Sequence, residues 1–330
     1  MTTSTAGQAI TLADIQAAQQ RLAGRVVRTP VLPAAELSAA AGRTVLFKCE
    51  CLQTTGSFKV RGATNAVLAL DPAAAARGVV THSSGNHALA LAHAARARGI
   101  SAHVVMPRDS SPVKRRAVEA MGAHITLCGP TAQDRHQACQ QIAAQTGAAM
   151  VPPYDHPLVM AGQGTIALEI LEQVPNVGTV VVPVGGGGMI GGMAVALKAL
   201  RPGVRVVGAE PALADDAAEA KRTGHRVQQR PPVTIADGLR APLGELTFPV
   251  VRDLVDAIVT VPEEAIAQGM QHVMERVHLV IEPSAGVGVA AVQSEAMRAT
   301  AAADEARGPT VVVLCGGNAD LSALPWLKRA

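Results

Sequence analysis

Apolar residues in this chain run in short unbroken blocks instead of alternating with polar ones. The blocks 44–50 (TVLFKCE), 78–83 (GVVTHS), 101–107 (SAHVVMP), 124–128 (HITLC), 177–184 (VGTVVVPV), 204–210 (VRVVGAE) and 309–317 (PTVVVLCGG) are separated by Ala-rich stretches of helical period. A strand that is apolar along its whole length needs cover on both faces, which a parallel sheet with crossover helices provides. The pattern predicts an α/β fold. Thr11 and Asp14 form a capping box at the start of a first helix that runs towards Ala23. Pro, Gly and Asp residues near 70–78 and 147–157 bracket three strand and helix units. They predict a smaller inserted lobe, 69–152, and a larger lobe made of 1–68 with 153–330. A small ligand is expected in the cleft between the lobes.

Composition narrows the class. With 330 residues, 48% of them hydrophobic, the chain can bury a large core. A net charge of +3, with both signs interspersed, gives no basic stripe for nucleic acid, and an aromatic content of 2% gives no stacking platform. No apolar run reaches membrane-spanning length and the first residues lack a secretory pattern, so a cytoplasmic protein with no membrane partner is expected. The five cysteines, an odd number, read as reduced thiols. Cys49 and Cys51, two apart on an expected strand, would face the same way. No Cys or His pair follows at zinc spacing, so both read as small core residues.

Candidate chemistry begins at Gly185–Gly188, which break an apolar strand before Met189 opens a helix. Glycines without Cβ atoms let the chain curl around an anion, and the helix adds free amides and the positive end of its dipole. A phosphate suits this turn, although by itself it also fits a flexible loop. It is not a Walker loop, because no Lys-Ser or Lys-Thr follows, and it gives no clean dinucleotide fingerprint. Lys59, in TTGSFKVRGA, stands near a helix start; a lysine forms a Schiff base with an aldehyde when its surroundings free the amine. In THSSGNHALALA a strand passes through Ser83, Ser84, Gly85 and Asn86 into a helix, which can present hydroxyl, amide and backbone N–H groups.

Together SFKVRGA, SSGNHALA, AGQGTIALE, PVGGGGMIGG, GAEPALADDA, IEPSAGVGVAA and VVVLCGGNADL resemble the fold type II pyridoxal-phosphate enzymes, above all their serine racemase and threonine or serine dehydratase branch. The similarity runs from Arg28 to Leu321. It implies a two-lobed fold like that of the tryptophan synthase β subunit and a homodimer. It also implies that Lys59 holds pyridoxal 5'-phosphate and removes the Cα proton, while Gly185, Gly186, Gly187, Gly188 and Met189 hold its phosphate. Phe58 would pack on the ring, Asn86 would meet the ring hydroxyl and Cys315 would face the pyridine nitrogen. Ser83, Ser84, Gly85 and His87 would bind the substrate carboxylate, with Ser84 a second acid or base on the opposite face. A neutral thiol near the nitrogen favours elimination over long-lived carbanions.

In GAEPALADDA, Glu210, Asp215 and Asp216 can supply oxygen ligands to a hard cation. The resemblance assigns Glu210, the carbonyl of Ala214 and Asp216 to magnesium, calcium or manganese. Leu89 and Pro33 stand where the ATP-activated animal racemases have a glutamine and a serine-rich loop, so ATP activation is not expected. Tyr154 replaces an asparagine and turns the YDHP stretch towards the dehydratases. Arg135 matches a racemase-branch residue near the substrate, and its planar fork suits a second carboxylate, as in threo-3-hydroxyaspartate. The expected activity is an ammonia-lyase (dehydratase) acting on serine, threonine, threo-3-hydroxyaspartate or phenylserine. The alternatives are an amino-acid racemase and, from the glycine run alone, a non-enzymatic nucleotide-binding α/β protein.

Overall fold

The computed structural model describes residues 9–228, 232–299 and 308–327. In chain order the first half contains α1 (Leu12–Leu22), β1 (Val31–Pro33), α2 (Ala35–Ala41), β2 (Val45–Lys48), α3 (Lys59–Ala69), α4 (Pro72–Ala76), β3 (Val79–His82), α5 (Asn86–Arg98), β4 (Ala102–Pro107), α6 (Pro112–Glu119), β5 (His124–Cys128), α7 (Ala132–Thr146) and β6 (Ala149–Met150). The second contains α8 (Pro157–Gln173), β7 (Thr179–Pro183), α9 (Gly188–Leu200), β8 (Arg205–Pro211), α10 (Asp216–Thr223), α11 (Thr247–Leu254), β9 (Ala257–Val261), α12 (Glu263–Arg276), α13 (Pro283–Gln293), α14 (Glu295–Ala299) and β10 (Thr310–Val313).

The strands form two sheets, one ordered β1-β2-β10-β7-β8-β9 and one ordered β5-β4-β3-β6. Among the described strands only the β1–β2 pair is antiparallel; the other pairings are parallel. The α/β class read from the apolar blocks is the one observed. Three strands, β1, β6 and β9, escape that reading, and each lies at a sheet edge. Incomplete cover is not the reason, since the edge strand β5 is exposed at three of its five positions and was read; β1 and β6 are only three and two residues long, and β9, AIVTV, is as apolar as the blocks that were read. The expected Thr11–Asp14 capping box is present at α1. One local expectation is corrected: β2 ends at Lys48, and Cys51 lies in a single 3-10 turn, Glu50–Leu52, instead of on a strand with Cys49. Both thiols are buried and free.

Glycine contacts bring the site-bearing helices together. A Cβ on Gly162 of α8 would lie 2.6 Å from Gly62 Cα of α3, and one on Gly164 would lie 2.8 Å from Gly192 O of α9. Side chains there would force α3 and α9 away from α8. Because α3 begins at Lys59 and α9 at Gly188, these contacts set the spacing of the two helix starts.

A buried ion cluster ties β2, α3 and α8 together. The Arg61 guanidinium donates to Glu50 through Nε and Nη2, each at 2.8 Å, and to Glu169 at 2.7 and 2.9 Å. Lys48 Nζ donates to Glu169 Oε2 (2.5 Å), Thr29 O (2.8 Å) and Gln173 Oε1 (2.9 Å). Burial works against the charge on Glu50, but Arg61 overrides it and holds the carboxyl below its usual range. Two cations and two carboxylates thus neutralise each other, which such burial requires.

Candidate active site

The segment before α3 is stitched to the end of β10. Phe58 N donates to Cys315 O (3.0 Å), Gly317 N donates to Gly56 O (2.8 Å), and Ser57 bridges Gly316. Lys59 therefore emerges beside Cys315, at the C-terminal ends of the strands, where an open parallel sheet places its ligands. Its Nζ donates to the carbonyl of Pro153 at 2.7 Å. Burial lowers the Lys59 pKa to about 8, with Cys315 and Glu282 acting in the opposite sense. The amine has no carboxylate salt-bridge partner among the described residues, in contrast to Lys48.

A cavity opens around this amine, lined by Phe58, Ser83, Ser84, Gly85, Asn86, His87, Tyr154, Gly185–Gly188, Met189, Glu282 and Cys315, among others. Two helix N-termini point into it. The amides of Gly188, Met189 and Ile190 at the start of α9, and of Asn86, His87 and Ala88 at the start of α5, have no acceptor within their own helices. Gly187 precedes α9 at φ +83°, a left-handed conformation that an L side chain adopts at a cost. The Tyr154 ring lies where a Cβ on Gly186 would go. Thr247 Oγ1 donates to Gly186 O (2.8 Å), and Asp155 accepts from the amides of Glu245 (2.9 Å), Leu246 (2.9 Å) and Thr247 (3.1 Å). The YDHP stretch thereby fixes the glycine turn from one side, a role the sequence reading did not assign.

The residues expected around a ring converge on the same cavity. Asn86 Nδ2 donates to both oxygens of Glu282, at 2.9 and 3.0 Å, and Asn86 Oδ1 accepts from Asn318 Nδ2 at 2.8 Å. Burial raises the Glu282 pKa to about 7, partly offset by the Asn86 hydrogen bonds. Burial and the neighbouring Glu282 push the Cys315 thiol well above its ordinary range, so it stays neutral. Glu282 belongs to the IEPSAG motif, and the signal the sequence offers for it is an acid between apolar Ile281 and the helix-starting Pro283.

His87 is buried, and its Nε2 meets Val151 O at 2.9 Å. Burial lowers its pKa to about 3, so the ring is neutral and has no second proton to donate. What His87 can offer an anion is its backbone amide. Arg135 lies in the first turns of α7 and does not line this cavity; its charge is felt at His82 and Cys128. Glu210 lies within β8, the strand read from the 204–210 block. Its carboxyl accepts from the amides of Ala217 (2.9 Å) and Ala218 (2.8 Å) at the start of α10, and burial raises its pKa to about 8. Asp216 is the first residue of that helix. No group of three or more His, Cys, Asp or Glu side chains suited to a metal occurs among the described residues.

The family model described as pyridoxal-phosphate dependent enzyme matches residues 22–316. The chain is 46% identical over 326 residues to serine racemase of Homo sapiens, covering 97% of this chain and 95% of that protein. It is 43% identical over 316 residues to the beta-hydroxyaspartate dehydratase of Paracoccus denitrificans, covering 96% and 98%. The solved structure of maize serine racemase superposes with a TM-score of 0.93 at 42% identity, covering 95% of each chain. The non-enzymatic nucleotide-binding alternative falls with these findings. The cavity suits the cofactor: it combines an amine without a carboxylate partner among the described residues with a glycine turn, packed too closely against Tyr154, Leu239 and Leu243 to admit a Cβ, that leads into the free amides at the start of α9. The chain belongs to the pyridoxal-phosphate dependent enzyme family, with the fold type II architecture.

Proposed function

As a member of that family, we propose, the chain is a dehydratase that converts a β-hydroxy amino acid to a 2-oxo acid and ammonia. The Lys59 amine, lowered to about 8, in the same cavity as two helix N-termini supports the cofactor chemistry, and the neutral Cys315 thiol is the observation that favours elimination. Pyridoxal phosphate, when bound, supplies an electron-withdrawing ring joined to the substrate nitrogen. The α9 start, Gly185–Gly188 with Met189, would hold its phosphate, and Lys59 would be the covalent attachment point. Phe58 and Asn86, which line the cavity, would contact the ring. Cys315, neutral, brings no negative charge to the pyridine nitrogen, which favours rapid loss of a β-leaving group over a persistent carbanion. The amides of Gly85, Asn86 and His87, with the Ser83 and Ser84 hydroxyls, orient the substrate carboxylate. Lys59 Nζ would take the Cα proton and pass it to the β-hydroxyl, which leaves as water; the enamine product then tautomerises to an imine, and a second water hydrolyses it to the 2-oxo acid and ammonia.

The substrate is drawn from serine, threonine, threo-3-hydroxyaspartate and phenylserine. A panel of these, each enantiomer assayed for oxo acid and for inverted amino acid, tests the reading; inversion without oxo acid would overturn it. Racemisation is the second reading, because Ser84 lines the cavity with Lys59 and can return a proton to the other face. Ser84→Ala is expected to cut inversion about a hundredfold and elimination from the Lys59-side enantiomer much less. Equal losses would make Ser84 a residue that positions substrate.

A supporting divalent cation, magnesium, calcium or manganese, is proposed at Glu210, the Ala214 carbonyl and Asp216. The proximity of Asp215 and Asp216 to the Glu210 carboxyl, which each pushes upward, supports it. Chelation should lower the melting temperature of the native protein, and Glu210→Ala with Asp216→Ala should abolish the response. Equal melting temperatures with chelator and with excess metal would count against the site.

A further inference from the structure

The cavity is lined by two cationic side chains, Lys59 and Lys114, and two carboxylates, Asp237 and Glu282. Lys114 is carried by α6, among the elements of the smaller sheet, and Asp237 opens a single 3-10 turn, Asp237–Leu239, on the opposite side of the cleft. The two meet across it, with Lys114 Nζ 2.5 Å from Asp237 Oδ2. The Asp237 backbone is held in place. Asp237 N donates to Ile235 O (2.9 Å), Gly238 N donates to Ser284 Oγ (3.1 Å), and the Arg240 guanidinium donates to Thr234 O (2.7 Å). Lys114 reaches this fixed carboxylate on a flexible stem.

We propose that Asp237 is a specificity-determining residue: by pairing with Lys114 it directs the site to β-hydroxy amino acids with an uncharged side chain and against dicarboxylic ones. The inference rests on the amino-acid reading of the cavity given above. A second substrate carboxylate needs a cation. Lys59 serves the cofactor and the Cα proton, and Arg135 lies off the cavity wall. Lys114 remains, already neutralised by Asp237 and also within electrostatic reach of Glu282 and Asp320. The side chains of the pair are 39% and 42% exposed, so the bridge adds little to stability. Its consequence falls on a ligand: a dicarboxylate must displace Asp237 or sit beside it. With Asp237 made neutral, Lys114 becomes an open receptor for the second carboxylate.

The test compares wild type, Asp237→Asn, Lys114→Gln and the double variant as holoenzymes. Binding of L-aspartate and L-2-aminobutyrate, which lack a β-hydroxyl, is followed by the visible absorbance of the cofactor and by melting temperature. In parallel, kcat/KM is measured for threonine and threo-3-hydroxyaspartate. Wild type should favour the neutral ligand in both assays. Asp237→Asn should raise the dicarboxylate-to-neutral ratio about tenfold, the scale of relieving one like-charge contact at a partly exposed site. The double variant should lose that gain, because the gain needs the lysine. A wild-type preference for the dicarboxylate would overturn the proposal. So would a ratio in Asp237→Asn, or in Asp237→Ser if the first fails to fold, that stays within twofold of wild type. If no β-hydroxy amino acid yields an oxo acid, the dehydratase reading fails, and the binding ratio still decides the role of Asp237.

Discussion

Lys48 and Lys59 stand eleven residues apart, and burial lowers the pKa of both, yet they are built for opposite ends. Lys48 is saturated: a carboxylate, a backbone carbonyl and a side-chain amide take its three protons. Lys59 has one backbone carbonyl and an open cavity. Desolvation weakens the charge in each case, but at Lys48 the Glu169 carboxylate acts against that loss, while at Lys59 nothing of comparable strength does. A buried lysine becomes a reactive amine through the partners it is denied. The same contrast separates Arg61 from Lys59 within one helical turn: Arg61 spends its donors on Glu50 and Glu169, anchoring the helix whose first residue is left uncommitted.

The sharpest way to break the comparison is Lys59→Ala. Oxo-acid release should fall about a thousandfold or more, with the visible absorbance lost and the circular dichroism spectrum retained. Lys59→Arg should fail equally, since a guanidinium keeps its proton. An unchanged rate in either variant would remove Lys59 from its assigned role.

Arg61→Met addresses the other side. It leaves Glu50 buried without its bidentate partner and should cost about 3–5 kcal/mol in urea unfolding. Lys48→Met should cost less, because Glu169 keeps Arg61. A reversed order would mean that Lys48, and not Arg61, carries the cluster.

The smallest effect is the pH dependence of stability in protein stripped of cofactor. Lys59 loses its proton at about 8 when folded, against an ordinary 10.5. Between these values the unfolded chain binds more protons, so stability rises with pH, by at most about 1.4 kcal/mol per unit. Below about 8 and above 10.5 both states carry the same charge and the contribution is flat. Lys59→Met should lose the part of the rise that begins near 8, while Lys48, lowered as well, adds a rise of the same sign that only Lys48→Met removes. The same slope in wild type and Lys59→Met would show that Lys59 is not the titrating group.

The sequence by itself determined the α/β class, the buried central strands and the two turns, Ser83–Asn86 and Gly185–Gly188, that line the cavity. Each rests on a local signal: an apolar run, a glycine cluster before a helix, or a hydroxyl-rich strand end. Lys59, Asn86, Gly185–Gly188 and Cys315 were legible through motifs that are continuous in the chain, and the structure gathers them around one cavity. Edge strands β1 and β6, three and two residues long, are too short to give a readable run, whereas β9, AIVTV, is as apolar as the blocks that were read and was missed. Tertiary structure alone decided which charges meet. Asn86 and Glu282 are 196 residues apart, Lys114 and Asp237 are 123 apart, and Arg61 and Glu169 are 108 apart. It also decided that His87 is neutral, that Arg135 lies off the cavity and that Glu210 faces the amides of α10. Protonation and pairing depend on desolvation and on distances of a few ångströms between segments remote in sequence, and no local pattern encodes either.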